Sequence, residues 1–403
     1  MKVLMLGWEL PPHNSGGLGV ACYHLCKSLA KKDIDIEFVL PYDSAEDHEF
    51  MKVTAAMPYG VKTILKAGIA YDSYKYVYKD GKIEWHDIYS QQAGYEAAVD
   101  ALSDETDFDI VHAHDWLTFR AAMRLKVKRD VPIVLHVHSV ERDRAGGNAG
   151  NPMVREIEEM AFHMADHIIA VSGHTKKMIH QDYNIPLENI EVVHNSLEAS
   201  TIEPLDQDNT YRYLESLRGQ GYRIVTNIGR LTIQKGLPNL LRAAQLVVQQ
   251  RPKTMFLIVG SGEQYVELIE LAAELGIGKN VIFTGFLRGK AWRDAFAISD
   301  LFVMPSVSEP FGLTPLEAAG YGTPSMVSKT SGVSEILYHA LKVDYWDVDE
   351  MANQILAVVN NDPLRDQLTE GAQTEVFKMS WSKAADRIFD IYDHHLRRKA
   401  VAV

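Results

Sequence analysis

Short apolar runs rich in β-branched residues alternate with amphipathic stretches along most of the chain. Short runs of this kind are typical of buried strands, and the stretches between them have the apolar spacing of helices. This alternation predicts an α/β fold in which helices cover parallel sheets. The predicted strands of the first half are Val3–Leu6, Ile36–Leu40, Ile110–His112, Ile133–Val137, His167–Ala170 and Ile190–Val193. Those of the second half are Ile224–Ile228, Met255–Val259, Val281–Thr284, Leu301–Met304 and Ser325–Val327.

A polar, proline-containing segment separates the two halves. Leu197–Asn209 has no clear periodicity and is interpreted as a linker. The length of 403 residues exceeds what one hydrophobic core normally supports, so two domains are expected, over residues 1–203 and 204–381. Met51–Tyr89 is less regular, has a hairpin signal at Lys79–Lys82, and is expected to decorate the first domain.

Composition and charge narrow the class of protein. The chain is 46% hydrophobic and 24% charged, which is ordinary for a soluble globular protein. Its formal net charge of -13 argues against a nucleic-acid-binding surface. We see neither a signal peptide nor an apolar run of about 18 residues, so a cytoplasmic protein without a transmembrane segment is expected. Cys22 and Cys26 are interpreted as small core residues without a metal or redox role. The oligomeric state stays open.

The most informative segment is Ser308–Ala318, which contains two glutamates around a glycine turn. Thr314, Pro315 and Glu317 predict a helix start with a capping box. The free N–H groups of such a helix end suit a diphosphate. A capping box needs no ligand, so a structural role stays open, but it does not explain Glu309 or the Phe311-Gly312 pair.

A second loop carries two cations after the first strand of the second half. The segment Gly229–Gly236 contains Arg230 and Lys235. A guanidinium and an ammonium group offer complementary ways to hold phosphate oxygens. The alternative is two solvated loop cations.

The first half contains a glycine pair between its first strand and the next helix, predicted over Val20–Leu29. Gly16 and Gly17 would let backbone N–H groups approach an oxygen-rich ligand. The alternative is a tight turn that requires glycine. The long proline-rich loop does not match the dinucleotide fingerprint, which argues against a dehydrogenase.

Four histidines follow or end two predicted strands of the first half. They are His112 and His114, next to Asp115, and His136 and His138. Clustered histidines near a carboxylate are a possible zinc set. Because the histidines alternate along their strands, we expect only one of each pair to face the ligand, and we predict no metal site. Hydrogen-bonded strand-end residues are the alternative interpretation.

The segment from Glu309 to Glu317, with Pro-Phe-Gly-Leu-Thr between, resembles the paired-glutamate motif of retaining nucleotide-sugar glycosyltransferases, especially family 4 and the related glycogen and sucrose-phosphate synthases. The resemblance runs from Lys2 to about Arg387. It implies the GT-B fold, with two Rossmann-like domains facing a cleft and the C-terminal helix, residues 382–403, crossing back onto the first domain. Four further segments match in the expected order: Gly16–Gly19, His114–Trp116, Gly229–Leu231 with Lys235-Gly236, and Gly332-Val333.

The resemblance implies a hexosyltransferase that moves a sugar, such as glucose, from a UDP-, ADP- or GDP-sugar to a carbohydrate or other hydroxyl acceptor. It implies same-face substitution without a metal or cofactor. The catalytic residues it implies are His138, Arg230, Lys235 and Glu309. The donor-binding residues it implies are Gly16, Gly17, Gly229, Phe286, Phe311, Gly312, Leu313, Thr314 and Glu317. The residues on the acceptor side are Glu9, His114 and Asp115.

One departure from the family and several alternatives remain. Bacterial glycogen synthases carry a lysine just before the glycine pair, where this chain has Asn14-Ser15, and this weakens the expectation of ADP-glucose. A nucleotide-sugar epimerase or a phosphorylase on the same fold is an alternative, as is an inactive nucleotide-sugar-binding protein. No pyridoxal-lysine motif is apparent, which disfavours a phosphorylase. Both cations and both glutamates are present, which disfavours loss of activity.

Overall fold

The computed structural model describes residues 1–13, 16–44, 46–66 and 74–402. Its strands are β1 (Lys2–Leu6), β2 (Asp35–Leu40), β3 (Lys52–Ala55), β4 (Val61–Lys66), β5 (Tyr74–Tyr78), β6 (Ile83–His86), β7 (Ile110–His114), β8 (Ile133–Val137), β9 (His167–Ala170), β10 (Ile190–Val192), β11 (Arg223–Ile228), β12 (Thr254–Val259), β13 (Val281–Gly285), β14 (Leu301–Met304), β15 (Ser325–Ser328) and β16 (Leu341–Val343). Its α-helices are α1 (Gly17–Ala30), α2 (Ile88–Leu102), α3 (Trp116–Arg129), α4 (Glu141–Arg144), α5 (Pro152–Met164), α6 (Gly173–Tyr183), α7 (Arg212–Gly219), α8 (Leu237–Gln250), α9 (Tyr265–Glu274), α10 (Gly289–Ala297), α11 (Thr314–Gly320), α12 (Val348–Asn360), α13 (Asp362–Val376) and α14 (Trp381–Ala402).

The chain forms two compact units. The first unit comprises Met1–Glu141, Asn151–Asn195 and Trp381–Val403, and the second comprises Arg142–Gly150 and Ser196–Ser380. The division differs from the predicted boundary at residue 203, because the start of the predicted linker packs with the second unit. There the Ile202 side chain lies against Gly320, and Glu203 pairs with Arg293.

The first unit is built on a seven-stranded parallel sheet in the order β10-β9-β8-β7-β1-β2-β3. Every strand predicted in the first half is present, and its apolar residues are largely buried, as expected when helices cover both faces of a parallel sheet. The sequence analysis missed β3, an edge strand whose residues are half-buried or exposed. The helix α14 packs against α1 in this unit.

A separate antiparallel sheet in the order β4-β5-β6 decorates the first unit. The backbone N–H of Tyr78 donates to the carbonyl of Lys82 at 2.8 Å, which closes the turn between β5 and β6. The hairpin predicted at Lys79–Lys82 is therefore confirmed.

The second unit contains a six-stranded parallel sheet in the order β13-β12-β11-β14-β15-β16. All five strands predicted in the second half are present, so the predicted α/β class with two Rossmann-like units is confirmed. The strands β11 and β14 are neighbours at the centre of this sheet. Their carboxyl ends therefore deliver the following loops to the same edge, where ligands bind in open α/β sheets. Among the described helices, none has the length and apolar content needed to cross a membrane.

Candidate active site

A lysine and a glutamate from two adjacent loops form an ion pair in the second unit. Lys235 Nζ lies 2.5 Å from Glu309 Oε2, and the Ser306 hydroxyl donates to the same oxygen at 2.9 Å. Gln234 Nε2 donates to the Ser308 carbonyl at 3.1 Å, and its side-chain oxygen lies 3.4 Å from Arg230 Nη2. We call Arg230, Lys235 and Glu309 the charged cluster. The structure thus brings these three predicted catalytic residues onto one pair of loops.

The backbone holds the two loops of the charged cluster together. The N–H of Val307 donates to the Gln234 carbonyl at 2.9 Å. Gly236 has a φ of +65°, and a Cβ placed there would lie 2.2 Å from the Pro305 carbonyl oxygen. Only glycine allows this close approach, so Gly236 sets the spacing between the loops. Gly229, at the end of β11, donates its N–H to the Val259 carbonyl at 3.0 Å.

The Gly332-Val333 motif supports the backbone around Glu309. The N–H of Glu309 donates to the Thr330 carbonyl, and the N–H of Gly332 donates to the Glu309 carbonyl, both at 3.0 Å. The N–H of Val333 donates to the Phe311 carbonyl at 2.7 Å. The side chain of Phe311 is buried and packs in the core, and its donor-binding role stays a prediction.

The predicted capping box at the start of α11 is wrong. The helix begins at Thr314 and its cap is Leu313, with no side-chain hydrogen bond at the cap. The Leu313 carbonyl accepts the N–H of Glu317 at 3.1 Å, while the Thr314 hydroxyl faces Met304 Sδ at 3.9 Å. Gly312 precedes this start with a φ of +93°, and a Cβ there would meet Met304 Cε at 2.8 Å.

Without a capping role, the Glu317 carboxylate has no hydrogen-bond partner among the described residues. The side chain is half-buried, and its burial raises the pKa of the carboxyl to about 7. A half-buried carboxyl group without a partner is costly to ionise, and perturbed groups of this kind concentrate at functional sites. The position is therefore suited to accept hydrogen bonds from a ligand.

Phe286 follows β13 and is 57% exposed. The Arg288 guanidinium lies over its ring, 5.2 Å from the centroid. An exposed aromatic side chain on a loop at a strand end offers a flat face to a ligand.

The sequence analysis missed Asp143, which is fully buried in the second unit. It accepts a hydrogen bond from the hydroxyl of Ser308, the residue before Glu309. No signal in the sequence indicated that Arg142–Gly150, which lies among segments of the first unit, would join the second unit. Asp143 and Ser308 fix the loop that presents Glu309, so they are positioning residues for the charged cluster.

The four predicted strand-end histidines stack in the first unit. The ring centroids of His112 and His114 are 4.5 Å apart, and those of His136 and His138 are 4.4 Å apart. His112 Nε2 lies 3.2 Å from His136 Nδ1, and His114 Nδ1 lies 3.0 Å from His138 Nε2. We expected only one histidine of each pair to face the ligand because the two residues alternate along the strand. That argument is wrong, because residues two apart on a strand share a face, and the rings of each pair stack there. We call these four residues the histidine cluster.

Burial keeps the histidine cluster neutral. It lowers the pKa of His138 to about 3 and holds the pKa values of His112, His114 and His136 well below the ordinary value. The neighbouring rings lower the last three further, since a second charge nearby would be repelled. The hydroxyl of Tyr392, on α14, hydrogen-bonds with His112 Nδ1. Each ring is therefore a neutral imidazole at working pH.

Asp115 holds the loop that carries His138. Its carboxylate accepts the N–H groups of His138 at 2.6 Å and Ser139 at 3.2 Å. Its φ of +58° lies in a region that non-glycine residues rarely adopt, and such conformations cluster at functional sites. Asp115 is therefore a positioning residue for His138.

The remaining residues predicted for the first unit lie between β1 and the first residue of α1. Glu9 is buried. Gly16 caps α1 with an extended φ of -164°, which any residue adopts, so a glycine-dependent turn does not explain it. The helix α1 begins at Gly17, three residues before the predicted start. The Asn14-Ser15 departure from the glycogen synthases lies outside the described residues.

Two sequence models of known families match the chain. The one described as "Glycosyltransferase Family 4" matches residues 15–200, and the one described as "Glycosyl transferases group 1" matches residues 215–375. The first match lies mostly in the first unit and the second match in the second unit.

Individual relatives agree with these two matches. An uncharacterized glycosyltransferase of Methanocaldococcus jannaschii is 26% identical over 402 residues, covering 97% of this chain and 98% of its own. A glycogen synthase of Mycobacterium tuberculosis is 28% identical over 342 residues, covering 83% and 80%. The solved structure of Anabaena HepE in complex with UDP-glucose has a TM-score of 0.71 at 20% identity and covers 98% of this chain and 100% of that chain. The chain is a glycosyltransferase with the GT-B fold.

Proposed function

We propose that the protein is a retaining hexosyltransferase that moves a sugar from a nucleoside-diphosphate sugar to a hydroxyl acceptor. The observation that carries the proposal is the charged cluster, in which Arg230, Lys235 and Glu309 lie on the loops after adjacent parallel strands. Buried opposite charges at such a position are suited to a ligand that itself carries negative charge.

The cations of the second unit bind the diphosphate in this proposal. Lys235 supplies an ammonium group that is paired with Glu309, and Arg230 adds a planar guanidinium group. As the diphosphate leaves, negative charge develops on its oxygens, and Arg230, Lys235 and the helix start at Leu313 and Thr314 stabilise it. The two cations therefore contribute more to the transition state than to the bound donor.

In this proposal the two glutamates bind different parts of the donor. Glu317 accepts hydrogen bonds from the ribose hydroxyls of the donor, because its half-buried carboxyl has no partner among the described residues. Glu309 binds hydroxyls of the transferred sugar, and the Gly332-Val333 backbone fixes its position. His138, which Asp115 positions in the first unit, contacts the same sugar as a neutral imidazole.

The transfer step needs no protein nucleophile. The bond from the acceptor oxygen to the anomeric carbon forms on the face from which the phosphate oxygen leaves. The acceptor proton passes to an oxygen of the departing diphosphate. Substitution on one face retains the anomeric configuration.

The relatives and the charged cluster together support the proposed donor and acceptor classes. The HepE complex with UDP-glucose supports a uridine donor, and the relative named glycogen synthase supports a glucan or other carbohydrate acceptor. ADP- and GDP-sugars are the other donors that this chemistry accommodates.

The test measures sugar transfer from UDP-, ADP- and GDP-glucose, with and without an acceptor. The acceptors are maltooligosaccharides, sugar phosphates and polyols. We expect release of nucleoside diphosphate to depend on one acceptor class, and NMR of the product to show the donor's anomeric configuration. Inverted product would contradict the retaining mechanism. Donor that is bound but neither transferred nor epimerised with any acceptor would favour the inactive binding protein.

We also propose that transfer is independent of Mg²⁺ and Mn²⁺, because protein cations already neutralise the leaving diphosphate. Activity should persist in EDTA. Complete loss of activity that Mg²⁺ or Mn²⁺ restores would show that this electrostatic assignment is wrong.

A further inference from the structure

A thiol lies beside two rings of the histidine cluster. The Sγ of Cys22 and one ring nitrogen from each of His114 and His138 lie within 4.8 Å of one another. The three residues come from α1, the end of β7 and the residue following β8, all in the first unit. Thiolate and imidazole are the ligands that zinc prefers, and three protein ligands with one open position form accessible zinc sites.

Two features of the rings fit a metal. His114 is fully buried, yet its Nε2 has no hydrogen-bond partner among the described residues. This nitrogen can therefore carry the ring proton while Nδ1 of the same ring binds a cation. His114 Nδ1 and His138 Nε2 are 3.0 Å apart, close to the separation of about 3.3 Å that two nitrogens have on tetrahedral zinc. His138 is only half-buried, so a cation can reach the set from its side.

The expectation that the chain has no metal site rested in part on placing the paired histidines on opposite faces of their strands, and the structure places them on one face. A second set, His112, His114 and His136, is less suited. His112 uses both ring nitrogens in hydrogen bonds, and all three side chains are buried.

We propose that Cys22, His114 and His138 bind a zinc-type cation and that the bound cation inhibits transfer. On binding, the thiol proton is released to solvent. The proton that His114 Nδ1 and His138 Nε2 share in their hydrogen bond moves to the other nitrogen of its ring, so that both rings can donate a lone pair to the metal. Inhibition rests on the proposed function, because a metal-bound His138 cannot contact the transferred sugar. The cation competes with the donor sugar for this side chain, which is compatible with transfer in EDTA.

Binding is tested with Co²⁺, which gives a thiolate-to-metal charge-transfer band only when a cysteine coordinates it. The chain has 2 cysteines, so the band reports Cys22 or Cys26 alone. Cys26 is the matched control, since it lies one turn further along α1 and is equally buried, with its Sγ 3.2 Å from Met5 Sδ. We expect the band in the wild type and in Cys26→Ala, its displacement by Zn²⁺ but not by Mg²⁺, and no band in Cys22→Ala. A wild type without the band, or Cys22→Ala with it, would overturn the site.

A second variant tests the site even if the buried Cys22→Ala substitution disturbs folding. His138→Gln retains the thiol and alters a half-buried position, and it should weaken Co²⁺ binding by at least about 10- to 100-fold, the loss typical of even an outer-shell change. Unchanged Co²⁺ affinity in His138→Gln would exclude His138 as a ligand.

Inhibition is tested by the zinc concentration that halves the transfer rate, relative to each variant's own zinc-free rate. This concentration should rise at least about tenfold in Cys22→Ala and stay at the wild-type value in Cys26→Ala. A thiolate band together with zinc-insensitive transfer would overturn the inhibitory role. A thiolate band in a protein that transfers no sugar would refute the proposed function while supporting the metal site.

Discussion

The molecule contains two polar clusters that compensate for burial in different ways. In the charged cluster of the second unit, Lys235 and Glu309 keep opposite charges in contact at 2.5 Å. In the histidine cluster of the first unit, four identical rings stay neutral and hydrogen-bond one another. Burial of an unpaired charge is expensive, so a site must either pair its charges or remove them.

The difference teaches what each cluster can do. An ion pair can exchange partners with a charged ligand, because the ligand's phosphate can replace the carboxylate at the ammonium group while the ligand's hydroxyl groups hydrogen-bond to the released carboxylate. Neutral imidazoles have no charge to exchange, and they offer lone pairs and N–H groups to sugar hydroxyls or to a metal. We therefore propose that the second unit binds the phosphates and that the first unit contributes uncharged contacts.

The largest expected effect is on the charged cluster. Lys235→Ala should lower kcat/KM by about 10²- to 10³-fold, because it removes a cation that stabilises the leaving diphosphate and leaves Glu309 without its ion pair. Lys329→Ala is the matched control, since Lys329 pairs with Asp344 at 2.7 Å on the surface of the same unit. Such exposed ion pairs contribute about 0–1 kcal/mol to the stability of the folded protein. This variant should therefore stay folded and transfer sugar at the wild-type rate. If steady-state rates fell equally in both variants, the loss in Lys235→Ala could not be assigned to the charged cluster.

The second prediction separates the two glutamates. Glu317→Gln should weaken binding of both bare nucleoside diphosphate and donor by about 10- to 100-fold, because it removes a charged acceptor of ribose hydrogen bonds. Glu309→Gln should slow transfer, because this residue contacts the sugar in the proposed function. It should not weaken bare nucleotide binding, because loss of the carboxylate leaves Lys235 available to the diphosphate. Calorimetry with nucleotide and donor, alongside initial rates, measures both. An equal loss of bare nucleotide affinity in the two variants would indicate a shared structural role.

The strands and the charged loops were predictable because their signals are local. Apolar runs identified all five predicted strands of the second unit, and the spacing of Arg230, Lys235 and Glu309 placed them on loops after strands. The sequence analysis missed β3, β4 and β16. The strands β3 and β16 are short, and most of their residues are not fully buried, so they lack a continuous apolar run.

The errors at the site have physical reasons. The capping box failed because Leu313 adopts a helical backbone and becomes the cap itself, which side-chain patterns do not reveal. The prediction for the histidines was wrong because it placed residues two apart on opposite faces of a strand. Residues i and i+2 lie on the same face. The role of Asp143 depends on which unit its segment packs with, and that is a tertiary property. The roles of the site residues toward donor and acceptor stay predictions.

The third prediction concerns pH and sharpens the role of Glu317. Its pKa of about 7 is raised, so the carboxyl is protonated below about pH 7 and ionised above it. If ribose hydroxyls donate to the carboxylate, the bound form favours ionisation, and nucleotide affinity should rise about tenfold between about pH 6 and about pH 8. Glu317→Gln removes this titration while leaving that of the nucleotide phosphates. Calorimetric affinities that change equally with pH in both proteins would assign the effect to the nucleotide alone.

The smallest effect on activity is expected from the histidine cluster's contact with α14. Tyr392→Phe removes the hydroxyl that hydrogen-bonds with His112 and leaves a buried ring nitrogen without a partner. The free energy of unfolding should fall by about 1–3 kcal/mol, the cost of such an unsatisfied group. Tyr89→Phe is the matched control, because the Tyr89 hydroxyl bonds to the exposed Asn151 side chain at 2.5 Å, where water can replace it. Urea denaturation measures the loss of unfolding free energy in both variants. Calorimetry should show unchanged nucleotide affinity in Tyr392→Phe, because the charged cluster lies in the other unit. If Tyr392→Phe weakened nucleotide binding as strongly as Glu317→Gln, the two clusters would not be functionally separate.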